Sequence, residues 1–105
     1  MTRAEIWAWL ESRQPGPPPA LAAKLAQCVA AAPEAELEGD SVAEAVGRLG
    51  LVTLRTVVER QGVAYDTAMD LLAADAFLTY AFEAAAEGGA GLPDLASRLL
   101  SAVGA

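Results

Sequence analysis

The chain contains no histidine, and this absence limits the chemistry that it can perform. Histidine general bases, Ser-His triads and histidine metal ligands are excluded. Cysteine occurs once, as Cys28, so neither an intrachain disulfide nor a zinc cluster of thiolates is expected. The GxxxxGK[ST] phosphate loop and the Glu-x-x-His pattern of di-iron bundles are missing as well. We therefore expect no metal, no cofactor and no catalytic residues, and we interpret Cys28 as a small core residue.

Positive charge is scarce, because 7 basic residues stand against 14 acidic ones and the formal net charge is −7. An acidic surface disfavours contact with phosphate backbones and anionic membranes. Lys24, Asp75 and Glu83 interrupt the best apolar runs, which stay below the roughly 18 residues that a membrane span needs. No secretory signal is visible. We predict a cytoplasmic protein that binds neither nucleic acid nor membranes, and the amino-acid usage is typical of a GC-rich bacterial genome.

Alanine-rich segments, interrupted by proline and glycine, predict helices along the whole chain. Residues 1–105 suit a single domain. We interpret the acidic stretch Glu34–Asp40 as a solvated loop or a single turn, and Glu44 and Arg48 as an i,i+4 ion pair. The fold class is predicted to be all-α, a compact bundle of about five helices with a central hydrophobic helix at about residues 64–87. Gly47 and Gly50 indicate a kink or a close helix crossing.

A carboxylate, Asp75, lies in the middle of the most apolar predicted helix. On a helical wheel it falls on the same apolar face as Leu71 and Phe82. A lone buried carboxylate is costly, so Asp75 should be paired, protonated or located at a subunit seam. Arg48 and Arg55 of the preceding helix are the natural partners. We predict that Asp75 is buried and bonded to one of them, either as a structural aspartate that fixes helix register or as a functional carboxylate in a pocket.

The opposite side of the same helix is apolar too, since it carries Met69, Tyr80 and Phe77. A helix that is apolar on two faces is usually central to its bundle or shared between subunits. The leading hypothesis is a non-catalytic helical module that forms a homo-oligomer or binds another protein. The alternative is a bundle that binds a small hydrophobic ligand in a pocket lined by Phe77, Tyr80, Phe82 and Met69. An enzyme is the third hypothesis.

Two tryptophans flank the apolar stripe of the first predicted helix. Trp7 and Trp9 lie at the rims of the arc that contains Ile6 and Leu10. They either seal the edge of a core, with the indole N–H groups near water, or anchor a partner protein. Both are therefore candidate interface residues.

The stretch VVERQGVAYDTAMDLL, Val57 to Leu72, resembles the helix-turn-helix of bacterial repressors in its Gly-Val turn and its leucine pair. The resemblance implies a recognition helix whose base-contacting positions are Ala64, Tyr65, Asp66, Thr67 and Asp70. None of them is Lys or Arg, the residues that contact phosphate and guanine, so we predict no DNA binding. The stretch LAADAFLTYAFE is similar to a helix of the trans-prenyl diphosphate synthases. The DDxxD motif of those enzymes is missing, and no residue role carries over.

Overall fold

The computed structural model describes residues 2–38, 41–59, 64–89 and 91–104, without the side chains of residues 64–66 and 104. All regular structure within these ranges is helical, which confirms the predicted all-α bundle of five helices. A 3-10 turn at Glu34–Leu37 follows the second helix. The helices are α1 (Arg3–Glu11), α2 (Pro19–Ala31), α3 (Val42–Glu59), α4 (Ala64–Glu87) and α5 (Leu92–Gly104).

Local capping chemistry fixes where the helices begin. At the start of α1 the Glu5 N–H donates to the Thr2 hydroxyl at 3.1 Å, and the Thr2 N–H donates to the Glu5 carboxylate at 3.1 Å. This reciprocal pair is a capping box. Pro19 is the first residue of α2. A backbone N–H at this position has no acceptor within the helix, so the N–H that proline lacks costs no hydrogen bond. At the start of α3 the Glu44 N–H donates to the Ser41 hydroxyl at 3.2 Å.

The helix α3 contacts every other element, and its most extensive packing is with α4. Two glycines permit this close packing. A Cβ added at Gly50 would lie 2.8 Å from Leu78 Cγ and 3.3 Å from the Ala74 carbonyl oxygen, both on α4. A Cβ added at Gly47 would lie 2.8 Å from Leu99 Cδ2 on α5. Each glycine therefore marks a close helix crossing, as one of the two sequence-based interpretations proposed.

The described chain covers only one of the two apolar faces of α4. Phe77 has no exposed surface, and it lies on a buried side of α4. Four alanines on that side are buried as well: Ala73, Ala74, Ala81 and Ala85. On the other side Leu71, Leu72 and Phe82 are 45%, 52% and 37% exposed. The alanine face lies inward because small side chains let α4 approach the glycine-bearing face of α3 closely.

Candidate functional site

Asp75 lies on the exposed side of α4, so the prediction that it is buried is wrong. The wheel placed Asp75 correctly beside Leu71 and Phe82, but this is the face that the bundle leaves open to solvent. The two predicted partners bond elsewhere. Arg48 donates to the backbone carbonyl of Glu38 at 3.2 Å, and Arg55 donates to the Glu36 carboxylate at 3.5 Å.

Among the α4 carboxylates whose side chains the structure describes, the buried one is Asp70, which is 4% exposed. Its Oδ1 lies 2.7 Å from Nζ of Lys24 on α2. The side chains of Asp70 and Lys24 are 6% and 21% exposed, so the pair is largely shielded from water. The wheel contains a signal for this burial, because Asp70 is seven residues from Phe77 and therefore only about 20° away from it. This burial was not predicted from the sequence, where Asp70 was named only among the positions of the helix-turn-helix resemblance.

The tryptophans of α1 pack on the bundle. Trp7 and Trp9 are partly buried against the core. The ring of Trp9 meets Tyr80 of α4 edge to face, with centroids 6.3 Å apart and an interplanar angle of 85°. The Arg13 guanidinium lies 4.1 Å from the centroid of Trp9 and also forms an ion pair with Glu87 at the end of α4. Trp9 therefore joins α1 to α4, while a role of either tryptophan as a partner anchor stays a prediction.

The predicted aromatic pocket is not assembled. Phe77 is 0% exposed, so it lines no accessible pocket. Phe82 faces outward, Met69 is partly buried, and Tyr80 packs on Trp9. Phe82 separates from the other two aromatic residues because it is five positions from Phe77 and two from Tyr80, which correspond to about 140° and about 160° around α4.

A groove of about 450 Å³ lies between the carboxyl-terminal half of α3 and the end of α5. We call it the α3–α5 groove. Leu54, Val58 and Val103 line it and are 36%, 77% and 64% exposed. Its other apolar lining comes from Leu51, Val52 and Ala102, and its charged lining from Glu36, Arg48, Arg55 and Glu59. The two positive and two negative charges of the lining cancel, in contrast to the strongly acidic chain.

A second apolar surface follows the exposed side of α4. Ala68, Leu71, Asp75, Leu78 and Phe82 follow one another at intervals of 3, 4, 3 and 4 residues. We call this line of five residues the α4 seam. Leu78 is half-buried against α3, and the other four are exposed. The seam is therefore an apolar line with one carboxylate at its centre.

Within the described part of the chain, no three or more Cys, Asp or Glu side chains are grouped so that they could hold a metal ion. No helix of that part is both long and apolar enough to cross a membrane. Comparison of the chain with protein-family models, with curated proteins and with solved structures finds no match. The α3–α5 groove and the α4 seam are the two exposed apolar surfaces described above.

Proposed function

We propose that the protein is a non-catalytic helical interaction module that self-associates through the α3–α5 groove. The observation that supports this proposal is the exposure of Leu54, Val58 and Val103 around one groove, with Val58 77% exposed. Exposed apolar side chains that are grouped and rimmed by charge are typical of protein–protein interaction sites. A ring of charged residues around a small apolar centre also resembles the polar rim of known interfaces.

The charged rim of the groove is complementary to itself. Arg55 and Glu59 lie four residues apart on α3, and both are exposed. If two copies pack with their α3 helices antiparallel about a two-fold axis that passes midway between Arg55 and Glu59, each Arg55 lies opposite the Glu59 of the other copy. A two-fold dimer is the commonest closed assembly and requires such a self-complementary patch. This arrangement places Val58 near the axis, where its apolar surface is removed from water.

Self-association is tested by light scattering after size exclusion, at a concentration of about 100 μM, where a micromolar dimer is formed. We expect a mass near twice the 10.8 kDa of the chain. Val58→Glu introduces a charge into the apolar centre of the groove and should give a monomer. Leu92→Glu is the matched control, since Leu92 is 48% exposed but does not line the groove. A monomeric parent protein, or a dimer that Val58→Glu leaves intact, would contradict the proposal.

A second candidate function is the binding of a small hydrophobic ligand in the same groove. Its volume of about 450 Å³ supports this alternative, because ligand sites usually measure about 300–1,000 Å³. Native mass spectrometry of freshly purified protein tests the alternative. A retained ligand would give a species heavier than 10.8 kDa that reverts to the chain mass on denaturation. Spectra that contain only multiples of the chain mass would exclude a co-purifying ligand.

A further inference from the structure

We infer that the α4 seam is a docking surface for a basic amphipathic helix of another protein. The intervals of 3, 4, 3 and 4 residues between its members are those of the a and d positions of a coiled coil, which pack against the side chains of a facing helix. The seam extends over residues 68–82, or roughly 21 Å of helix, enough to contact about four turns of a partner. This inference concerns a different surface from the groove and goes beyond self-association.

The apolar residues of the seam are exposed to solvent at its ends and packed against α3 at Leu78. Leu71 is 45% exposed and Phe82 is 37% exposed, and Leu72 beside the seam is 52% exposed. Leu78 packs against Gly50 of α3, so this part of the seam is supported by the close crossing of α3 and α4. A facing helix would remove these large side chains from water without a rearrangement of α4.

The charge of α4 identifies the partner as basic. The helix contains aspartate and glutamate but no lysine or arginine. Asp70 is paired with Lys24, and Glu87 with Arg13, whereas Asp75 and Glu83 are exposed. Asp75 is the one carboxylate of the seam, so a lysine or arginine at the matching position of the facing helix would meet it, and such charge complementarity guides the choice of partner.

Asp75 also argues against a second copy of this chain as the occupant. A two-fold pairing centred on the seam would bring two Asp75 carboxylates together between two chains that each carry a charge of −7. A single polar residue at an a-type position fixes register and partner choice at a cost in stability. Asp75 is thus positioned to select a facing helix that carries a cationic side chain at the matching position.

The probes are three synthetic peptides of about three heptads, and two of them have leucine at the a and d positions except at the central a position. One peptide has lysine at that position and at its e and g positions, and the other has glutamate. A third peptide has the lysine composition in scrambled order. Calorimetric titration in low salt measures the dissociation constants. We expect the lysine peptide to bind at least about tenfold more tightly than the glutamate and scrambled peptides.

Variants assign the binding to the seam. Asp75→Lys should reverse the preference, so that the glutamate peptide binds more tightly than the lysine peptide. Glu38→Lys is the matched control, because Glu38 is exposed on a different element and its substitution changes the net charge equally. The double variant Leu71→Ser with Phe82→Ser should weaken the binding of the lysine peptide by about tenfold or more, since it removes apolar contact area.

Three results would overturn the inference: equal binding of the lysine and scrambled peptides, no reversal in Asp75→Lys, or no binding of either patterned peptide. The substituted side chains are exposed, and far-ultraviolet circular dichroism verifies that each variant is folded. The monomer produced by Val58→Glu retains the α4 seam and should bind the lysine peptide as the parent does. Failure of peptide docking is therefore distinguishable from failure of self-association.

Discussion

Asp70 and Lys24 join α4 to α2 by an ion pair that is largely shielded from water. Asp70→Ala removes the carboxylate that the Lys24 ammonium contacts. We expect the free energy of unfolding to fall by roughly 2–3 kcal/mol, slightly less than for a fully buried pair, because Lys24 keeps part of its exposure. Urea unfolding measures the loss. Asp75→Ala is the control on the same helix and should cost less than about 0.5 kcal/mol, because Asp75 is exposed. Equal losses would contradict the burial of Asp70.

These two aspartates show what the sequence determines at the scale of a residue. A wheel places Asp70 and Asp75 about 140° apart, so they must face different surroundings. The wheel does not say which side of α4 enters the core, since both sides carry large apolar residues. That choice depends on the contact of α4 with Gly50 of α3, which is a tertiary property. The neighbours of Asp75 on its own helix were therefore predictable, and its exposure was not.

At the scale of the helices, the α3–α4 crossing at Gly50 leads to a prediction about stability. Alanine is favoured over glycine in a helix interior by about 1 kcal/mol. At Gly50, however, a Cβ would lie 3.3 Å from the Ala74 carbonyl, a backbone atom that moves only if the two helices separate. We expect Gly50→Ala to lower the free energy of unfolding by about 1–2 kcal/mol. Urea unfolding measures the change, and an unchanged or raised stability would contradict the close crossing.

Gly47→Ala is the comparison for that prediction. Its Cβ would meet the terminal methyl carbons of Leu99, at 2.8 and 3.0 Å, on the shorter helix α5. A side chain yields more easily than a helix backbone, so Gly47→Ala should cost less than Gly50→Ala. The reverse order would show that the α3–α5 packing is the more rigid of the two.

Helix starts were predictable because their signals are local, as in the capping box of Thr2 and Glu5. Contacts between different helices were less predictable than helix starts. The acidic stretch was interpreted as a solvated loop or a single turn, and Glu34–Leu37 forms a 3-10 turn. The burial of Leu37, which is 1% exposed, was not predictable, because a single apolar residue among acids produces no periodic pattern. Glu44 was expected to pair with Arg48 on its own helix. It forms an ion pair with Arg98 of α5 instead, at 2.9 Å, since the packing of α5 on α3 brings in a closer cation.

At the scale of the whole molecule, the two apolar surfaces differ in the charge that surrounds them. The chain carries −7, yet the lining of the α3–α5 groove is balanced, while α4 carries acidic residues alone. A standard interface covers about 800 Å² per partner, roughly an eighth of the 6008 Å² of accessible surface. One chain therefore has room for both contacts. A balanced surface suits an identical partner, and an acidic one suits a basic partner.

The antiparallel arrangement proposed for the groove predicts how charge reversals combine. Arg55→Glu alone would place like charges opposite each other twice in the dimer, since a two-fold axis repeats each contact. Glu59→Arg alone would do the same with positive charge. We expect each variant to self-associate about tenfold more weakly than the parent protein, because two contacts of about 0.5–1 kcal/mol are lost. Sedimentation equilibrium measures the dissociation constants.

Mixing the two variants restores both contacts, because one chain then carries only negative charge at positions 55 and 59 and the other only positive charge. A heterodimer about as tight as the parent dimer should form, and the double variant Arg55→Glu with Glu59→Arg should also recover, since it exchanges the charges without altering their pairing. Arg55 also contacts Glu36 on its own chain at 3.5 Å. A weakening that arose from that contact would persist in the double variant. Recovery in the mixture and in the double variant is therefore expected only if Arg55 of one chain faces Glu59 of the other.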